Sequence, residues 1–376
     1  MIQAIRDHVN ARWSALRPGA PRPSGAILAG ADREESAKVA FIFFDELGHP
    51  AAVAKVGRSR AAEKALQAEA AALKHFWSLG CQTVRGHAPE PLLLDRIGDH
   101  LVFLMTTVPG TPMITRYYTP GHAADPQRVA ADFDAAGSWL VQFHRETLSD
   151  VEPFGTETFD RFVGAVFDRY RQEVGWSAVE EELMEALTER ARRLRGALLP
   201  LTGVHGDFWM GNLFVDGPAL GGVVDWELAQ AVGHPLTDLY KFPTSYGFYL
   251  DRATAGADGS VPGHPERAEH RSRWRPWGTW RNLPGFGYTY FGRGWFPEQA
   301  RRFVLRHLAA LGIPRAINGV FFPTFLAAQA TVLDVPEFRE GYRSLLLAFA
   351  SERTSTWLWA DGGAGAEIGK GRARVG

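Results

Sequence analysis

Apolar residues first recur at helical spacing. Ile2, Ile5, Val9, Trp13 and Leu16 share one face and predict a short amphipathic helix over 1–18. Dense proline and glycine in Arg17-Pro-Gly-Ala-Pro-Arg-Pro-Ser24 end it. The pattern then changes to apolar runs of strand length at 25–29, 38–45 and 51–56. The second and third flank Glu46-Leu-Gly-His-Pro50, a turn-rich connection that predicts an antiparallel hairpin. A helical period returns over 60–77, with Leu66, Ala70, Leu73 and Trp77 on one face. Two more strands follow at 91–94 and 100–106. Three strands, a helix and two strands make a small α+β unit, which ends where Thr107-Val-Pro-Gly-Thr-Pro112 breaks the pattern.

Beyond that break the period is mostly helical. Helices are expected over 129–146, 159–174 and 178–199, the last stopped by Pro200, and again from 297 to about 359. A strand-rich block over 203–226 interrupts them. The stretch 251–270 is polar and reads as an exposed loop. From 271 to 296 arginine alternates with tryptophan, tyrosine and phenylalanine. The glycine-rich end, 362–376, has no apolar period and is expected to be disordered. The resulting division is a small α+β lobe over 1–107, with 1–24 as its leading helix and linker. A larger, mainly helical lobe covers 108–360 with an insertion at about 251–296, and a tail covers 361–376.

Composition narrows the class. The chain has 376 residues, 45% of them hydrophobic and 22% charged, which excludes a disordered or fibrous protein. Forty-one Lys+Arg balance 42 Asp+Glu, so no global field for nucleic acid exists. The single cysteine, Cys81, excludes an internal disulfide and a cysteine-rich metal site. No apolar run approaches the roughly 18 residues that span a bilayer. The charged first turn lacks the apolar core of a secretion signal, so the expected location is the cytoplasm. Lysine is rare beside arginine, with six in the chain, so a lysine inside an apolar strand stands out.

The chemistry concentrates in Val204-His-Gly-Asp-Phe-Trp-Met-Gly-Asn-Leu-Phe-Val215 and Gly222-Val-Val-Asp-Trp-Glu227. An apolar strand delivers His205 and Asp207 into a tight loop, Asn212 follows five residues later, and a further strand ends in Asp225. Two carboxylates and an amide thus converge at strand ends. Such oxygen ligands suit Mg²⁺, which takes one or two protein carboxylates plus substrate phosphates. Asp207 is left to orient or deprotonate a hydroxyl.

This pattern, completed by Gly233-His-Pro-x-x-Asp238-Leu, resembles the aminoglycoside phosphotransferase/choline kinase family of small-molecule kinases. The landmarks cover residues 25–245. The resemblance implies an α+β, two-lobe protein-kinase-like fold, with a small antiparallel-sheet lobe and a larger, mainly helical one. It also implies transfer of the γ-phosphoryl group of ATP or GTP to a small-molecule hydroxyl. In that scheme Asp207 faces the acceptor hydroxyl, and Asn212 and Asp225 hold Mg²⁺. His205 and Asp238 brace the loop, with Glu227 as a supporting or metal residue. Lys55 contacts the phosphates and pairs with Glu69 on the next helix, and Met105 to Val108 receive the adenine. Independently of the resemblance, a lysine between Ala54 and Val56 in a buried strand needs a counter-charge.

Two departures matter. The hairpin Leu28-Ala-Gly-Ala-Asp-Arg-Glu-Glu-Ser36 offers only Gly30 where protein kinases place several glycines over the phosphates. Only 12 residues separate Asp225 from Asp238, too few for a regulated activation loop, which argues against a protein kinase. The segment from Arg271 to Arg281 either clamps an anionic or ring-bearing substrate, docks on an anionic surface, or is a folded insertion whose aromatics pack. Its arginines disfavour a polycationic acceptor and favour a neutral or anionic one, such as a sugar, nucleoside-like compound or other natural product. Two other functions fit the chain: a kinase for lipid-linked or membrane-presented acceptors, and a catalytically silent binding module. Oligomeric state leaves no mark in the sequence.

Overall fold

Side-chain alternation along one sheet sets the layout of the first part of the chain. The computed structural model describes residues 2–31, 38–119, 121–249, 274–332 and 335–360. Strands β1 (Gly25–Ala31), β2 (Lys38–Phe44), β3 (Pro50–Gly57), β4 (Pro91–Ile97) and β5 (His100–Thr106) form an antiparallel sheet ordered β1-β2-β3-β5-β4. On β3, Ala52, Ala54 and Val56 turn to one face, where they join Phe41, Phe43 and Leu104 under Ile5, Val9 and Trp13 of the helix Ile2–Leu16. Burial of those three helix side chains contributes about 1.5–3 kcal/mol each. Lys55, between Ala54 and Val56, therefore points to the opposite face. The helix Arg60–Ser78 packs there, capped by Ser59 Oγ, which accepts from Ala62 N at 3.0 Å. It buries Leu66, Ala70, Leu73 and Phe76, and Glu69 with them. These elements match the expected ones within three residues. The short helix Gln82–His87 had no sequence signal; Cys81 opens it, buried, its thiol pushed up by burial and by the charge of Glu146.

Six further strands follow: β6 (Thr111–Pro112), β7 (Asp150–Pro153), β8 (Leu198–Val204), β9 (Leu213–Asp216), β10 (Ala219–Val223) and β11 (Gln230–Gly233). They form two sheets, β10-β9-β6 and β11-β8-β7, whose ends carry the loops around Asp207 and Asp225. Helices Pro126–Glu146, Leu236–Tyr249, Trp295–Ala310, Asn318–Val332 and Pro336–Glu352 enclose them. Asp125 starts the first of these helices by accepting from the backbone N–H of Gln127 at 2.9 Å. The Phe133 ring lies 5.0–6.0 Å from those of Phe242, Tyr246, Phe296 and Phe303, so one aromatic knot ties three of these helices.

Two expectations need correction. The helix expected over 178–199 stops at Arg193. Gly196, at φ +84°, turns the chain, and Pro200 lies in β8 opposite Val151. The helix expected over 159–174 begins at Thr156 and contains a π-helical turn, Asp160–Gly164. In the aromatic segment Trp274, Trp280, Phe286, Tyr288 and Tyr290 are buried; Trp280 packs on Phe248, Phe338 and Tyr342. From Trp274 onward the segment is therefore folded, its aromatics packed as one of the three readings expected. The loop expected over 251–270 and the tail over 362–376 lie outside the described residues, as do positions 32–37 of the first hairpin. Among the described residues, no single helix is long and apolar enough to cross a membrane.

Candidate active site

Strand register brings the first charges together. Lys55 pairs with Phe103 on β5 and reaches Glu69 with its Nζ 2.6 and 2.8 Å from the two carboxylate oxygens. The same ammonium lies 2.9 Å from Asp225 Oδ1. Burial alone would depress Lys55, but the charges of Glu69 and Asp225 outweigh it and hold the ammonium above its ordinary value. Met105 is buried on the same face of β5, opposite Val53. Val108 lies beyond the strand end and against β10; a Cβ added to Gly222 would meet its Cγ2 at 2.3 Å. The sheet and the β9–β10 hairpin thus meet at Val108.

The loop after β8 is pinned from below. Asp238, fully buried near the start of Leu236–Tyr249, accepts from the backbone N–H groups of His205 at 2.7 Å and Gly206 at 2.8 Å. Burial pushes its carboxyl up to about 6. His205 accepts from Asp207 N through Nδ1 at 3.3 Å, so its Nε2 carries the hydrogen and donates to Val224 O at 3.0 Å. That ring couples the Asp207 loop to the strand end before Asp225. Asn212 Nδ2 donates to Asp207 Oδ2 at 2.9 Å and to its backbone carbonyl at 3.0 Å. Between these anchors Gly206 adopts φ +84°, and a Cβ there would meet Leu228 O at 2.3 Å. Gly206→Ala is therefore expected to cost about 1–3 kcal/mol and to displace Asp207. A thermal melt and a turnover assay check this; an unchanged pair of values would show that the loop has room.

Asp225 is the one non-glycine residue with positive φ, at 67°, among the described residues. Such a conformation persists only where its surroundings over-determine it. Trp226 does so: fully buried, it donates Nε1–H to Val223 O at 2.9 Å and packs on Phe76 and Phe143. Burial would raise the Asp225 carboxyl, but Lys55 and Lys38 hold it well below the usual range. Glu227 moves the other way, raised by burial and by the charge of Asp225. Lys38 at the start of β2 joins the two, bonded to Glu227 and 3.7 Å from Asp225. By their chemistry the Asp225 and Glu227 carboxylates and the Asn212 amide oxygen fit a hard cation such as Mg²⁺. Among the described residues, no three His, Cys, Asp or Glu residues cluster to hold a metal unaided.

The structure thus brings together Lys55, Glu69, Asp225, Asp207, Asn212, His205, Asp238 and Glu227. Sequence reasoning missed two lysines. Lys38 opens an apolar strand, and its rarity was the available signal. Lys241 gave none: it follows Asp238-Leu-Tyr in a helix, where a lysine is ordinary, yet its Nζ lies 2.9 Å from Asp207 Oδ1.

Comparison with known sequences settles the family. A model of the phosphotransferase enzyme family matches residues 39–277, more than half the chain. The chain belongs to that family. Solved structures of an aminoglycoside phosphotransferase repeat its protein-kinase-like fold. A thermostable mutant of aminoglycoside phosphotransferase APH(4)-Ia, in ternary complex with ADP and hygromycin B, aligns with a TM-score of 0.52 and 16% identity over 96% of this chain and 100% of that one. A second mutant of that enzyme, with AMP-PNP and hygromycin B, gives 0.52 and 17% over 96% and 99%. Macrolide 2′-phosphotransferase MphH from Brachybacterium faecium gives 0.45 and 16% over 92% and 98%. No curated protein matched.

Proposed function

We propose that this phosphotransferase transfers the γ-phosphoryl group of ATP or GTP to a hydroxyl of a small neutral or anionic molecule. The observation that carries the proposal is a single chain of contacts: Glu69, Lys55 and Asp225 in succession, with Asp225 joined to the Asp207 loop through His205 and Val224. Lys55 takes the nucleotide phosphates, and the stretch from Met105 to Val108 takes the base. Asp225 and Asn212, with Glu227 beside them, would hold Mg²⁺, which when bound neutralises charge on the phosphates. Asp207 orients the acceptor hydroxyl and takes its proton. Most of the rate enhancement in such a site comes from positioning and electrostatics.

The acceptor's chemistry follows from a cavity of about 260 Å³ beside the loop. Arg161, Gln230, His234, Thr237, Thr324 and Gln329 supply its polar lining, and no carboxylate lines it among the described residues. A polycation would find no counter-charge there, whereas hydroxyl, carbonyl or anionic groups would find donors. The buried tryptophans of the aromatic segment give no support to the alternative of a membrane-presented acceptor.

The test is Mg²⁺-dependent transfer from γ-labelled ATP to a panel of sugars, nucleoside analogues, macrolides and aminoglycosides, repeated with GTP. Label is expected on a neutral or anionic class and not on aminoglycosides. Labelling confined to aminoglycosides would overturn the acceptor assignment, and the absence of any metal-dependent turnover would overturn the kinase itself.

A further inference from the structure

Lys241 stands out among the buried groups that the scheme above leaves unused. It projects from the helix Leu236–Tyr249, one turn beyond the Asp238 that pins the loop, and only 8% of its surface is exposed. Its ammonium lies 2.9 Å from Asp207 Oδ1 and donates to Gln329 Oε1 at 2.6 Å. Burial works against the charged form, but the charge of Asp207 outweighs it and raises the ammonium above its ordinary value. An ammonium has three hydrogens. Two are engaged, and the third has no partner among the described residues. Gln329 and Gly206 both line the 260 Å³ cavity, so the lysine links Asp207 to a side chain of its wall.

Resting on the kinase assignment, we propose that Lys241 is a further residue of the transfer step. It fixes the orientation of the Asp207 carboxyl group and offers its third hydrogen to an oxygen of the moving phosphoryl group. The acceptor oxygen attacks the γ-phosphorus as its proton passes to the Asp207 carboxylate. The bond from the γ-phosphorus to the bridging oxygen breaks, and its electron pair leaves on the nucleoside diphosphate. Lys241 stays protonated throughout. Its contribution grows as negative charge spreads over the phosphoryl oxygens, so it acts on the transition state more than on bound nucleotide. Asn212 occupies Asp207 Oδ2 while Lys241 occupies Oδ1, so the two residues set the carboxylate plane from opposite sides. Gln329 acts through the lysine and is a positioning residue.

The experiment compares wild type with Lys241→Met, Lys241→Arg and Gln329→Leu. Each is assayed for Mg²⁺-dependent ATP hydrolysis, with water in the acceptor's place, and for binding of ATP by calorimetry and thermal melting. For Lys241→Met, kcat is expected to fall on the order of 10²-fold, as when one preorganised donor is removed, with the ATP dissociation constant little changed. Lys241→Arg should recover part of the loss by restoring a cation. Gln329→Leu should show a smaller fall of the same kind. A folded Lys241→Met protein that turns over at the wild-type rate overturns the proposal. A faster one also overturns it, since the lysine would then be an inhibitory pin on Asp207. A loss matched by equal loss of ATP binding, with no recovery in Lys241→Arg, would make the lysine structural. Wild-type protein without metal-dependent turnover fails the kinase assignment itself, and the Lys241 role falls with it.

Discussion

Asp207→Ala is expected to lower the rate of phosphoryl transfer by about 10²–10⁴-fold, the usual contribution of a positioned proton acceptor, while ATP still binds. The two effects separate because the Asp207 carboxylate and the Lys55 ammonium, proposed above to meet the phosphates, have different side-chain partners. Asp207 is fixed by Asn212 and Lys241, whereas Lys55 is fixed by Glu69 and Asp225. Alanine also strips Lys241 of its counter-charge, and breaking a buried ion pair costs about 3–5 kcal/mol. Asp207→Asn is the better-controlled variant. Its amide oxygen can still accept from Lys241, although its nitrogen would then face the Asn212 nitrogen. Measuring kcat, ATP affinity and the melting temperature on both variants separates chemistry from folding. A folded Asp207→Asn enzyme within about tenfold of wild type would remove Asp207 from the proton-transfer role.

Much of this site was legible because its chemistry is local in sequence. His205, Asp207 and Asn212 lie within eight residues, and Asp225 ends the next hairpin, so strand periodicity alone places them at one edge. Lys55 was legible through its place in an apolar strand, which demanded a counter-charge, whereas Glu69 as its partner came only from the family resemblance. The leading helix and the five-stranded sheet follow from periodicity for the same reason.

What the sequence concealed depends on the third dimension. Lys241 lies 34 positions from Asp207, in the second turn of its helix and in no motif, and acquires meaning only because Asp238 docks that helix under the loop. The left-handed backbone of Asp225 depends on Trp226 filling a hole between Phe76 and Phe143, which pattern counting cannot anticipate. The helix carried too far, to Leu199, failed because apolar residues 197–201 satisfy either period. Their pairing with Asp150–Pro153, a strand too short and polar to announce itself, decided the outcome. Three of the six lysines converge on Asp207, Asp225, Glu227 and Glu69, so scarcity of lysine was a better guide than any single lysine's neighbours.

Stability is expected to fall steeply as pH drops from 6.5 towards 4, apart from any effect on catalysis. His144, His234 and His307 are buried, and burial depresses all three: His144 to about 3, His234 to about 4 and His307 well below its ordinary value. His144 and His307 bond to each other at 2.9 Å, so neither can be charged cheaply. Each is neutral when folded but takes up a proton near 6.5 when unfolded. Each therefore contributes stability that is present above pH 6.5 and is lost as pH falls through the folded value. Asp238 and Glu227 oppose this: their folded values are raised, so their contributions are fully present only at low pH and are lost as pH rises. Three histidines against two carboxylates leave a net uptake of at least one proton on unfolding, or about 1–3 kcal/mol per pH unit across this window. Urea unfolding midpoints between pH 4.5 and 7 measure the slope. His307→Leu should flatten it by removing one proton, and because Asp207 and Lys55 do not touch His307, ATP binding at pH 7 should survive. A midpoint independent of pH in the wild-type chain would mean that these imidazoles are charged in the folded state, and the contact between His144 and His307 would then have to be rearranged.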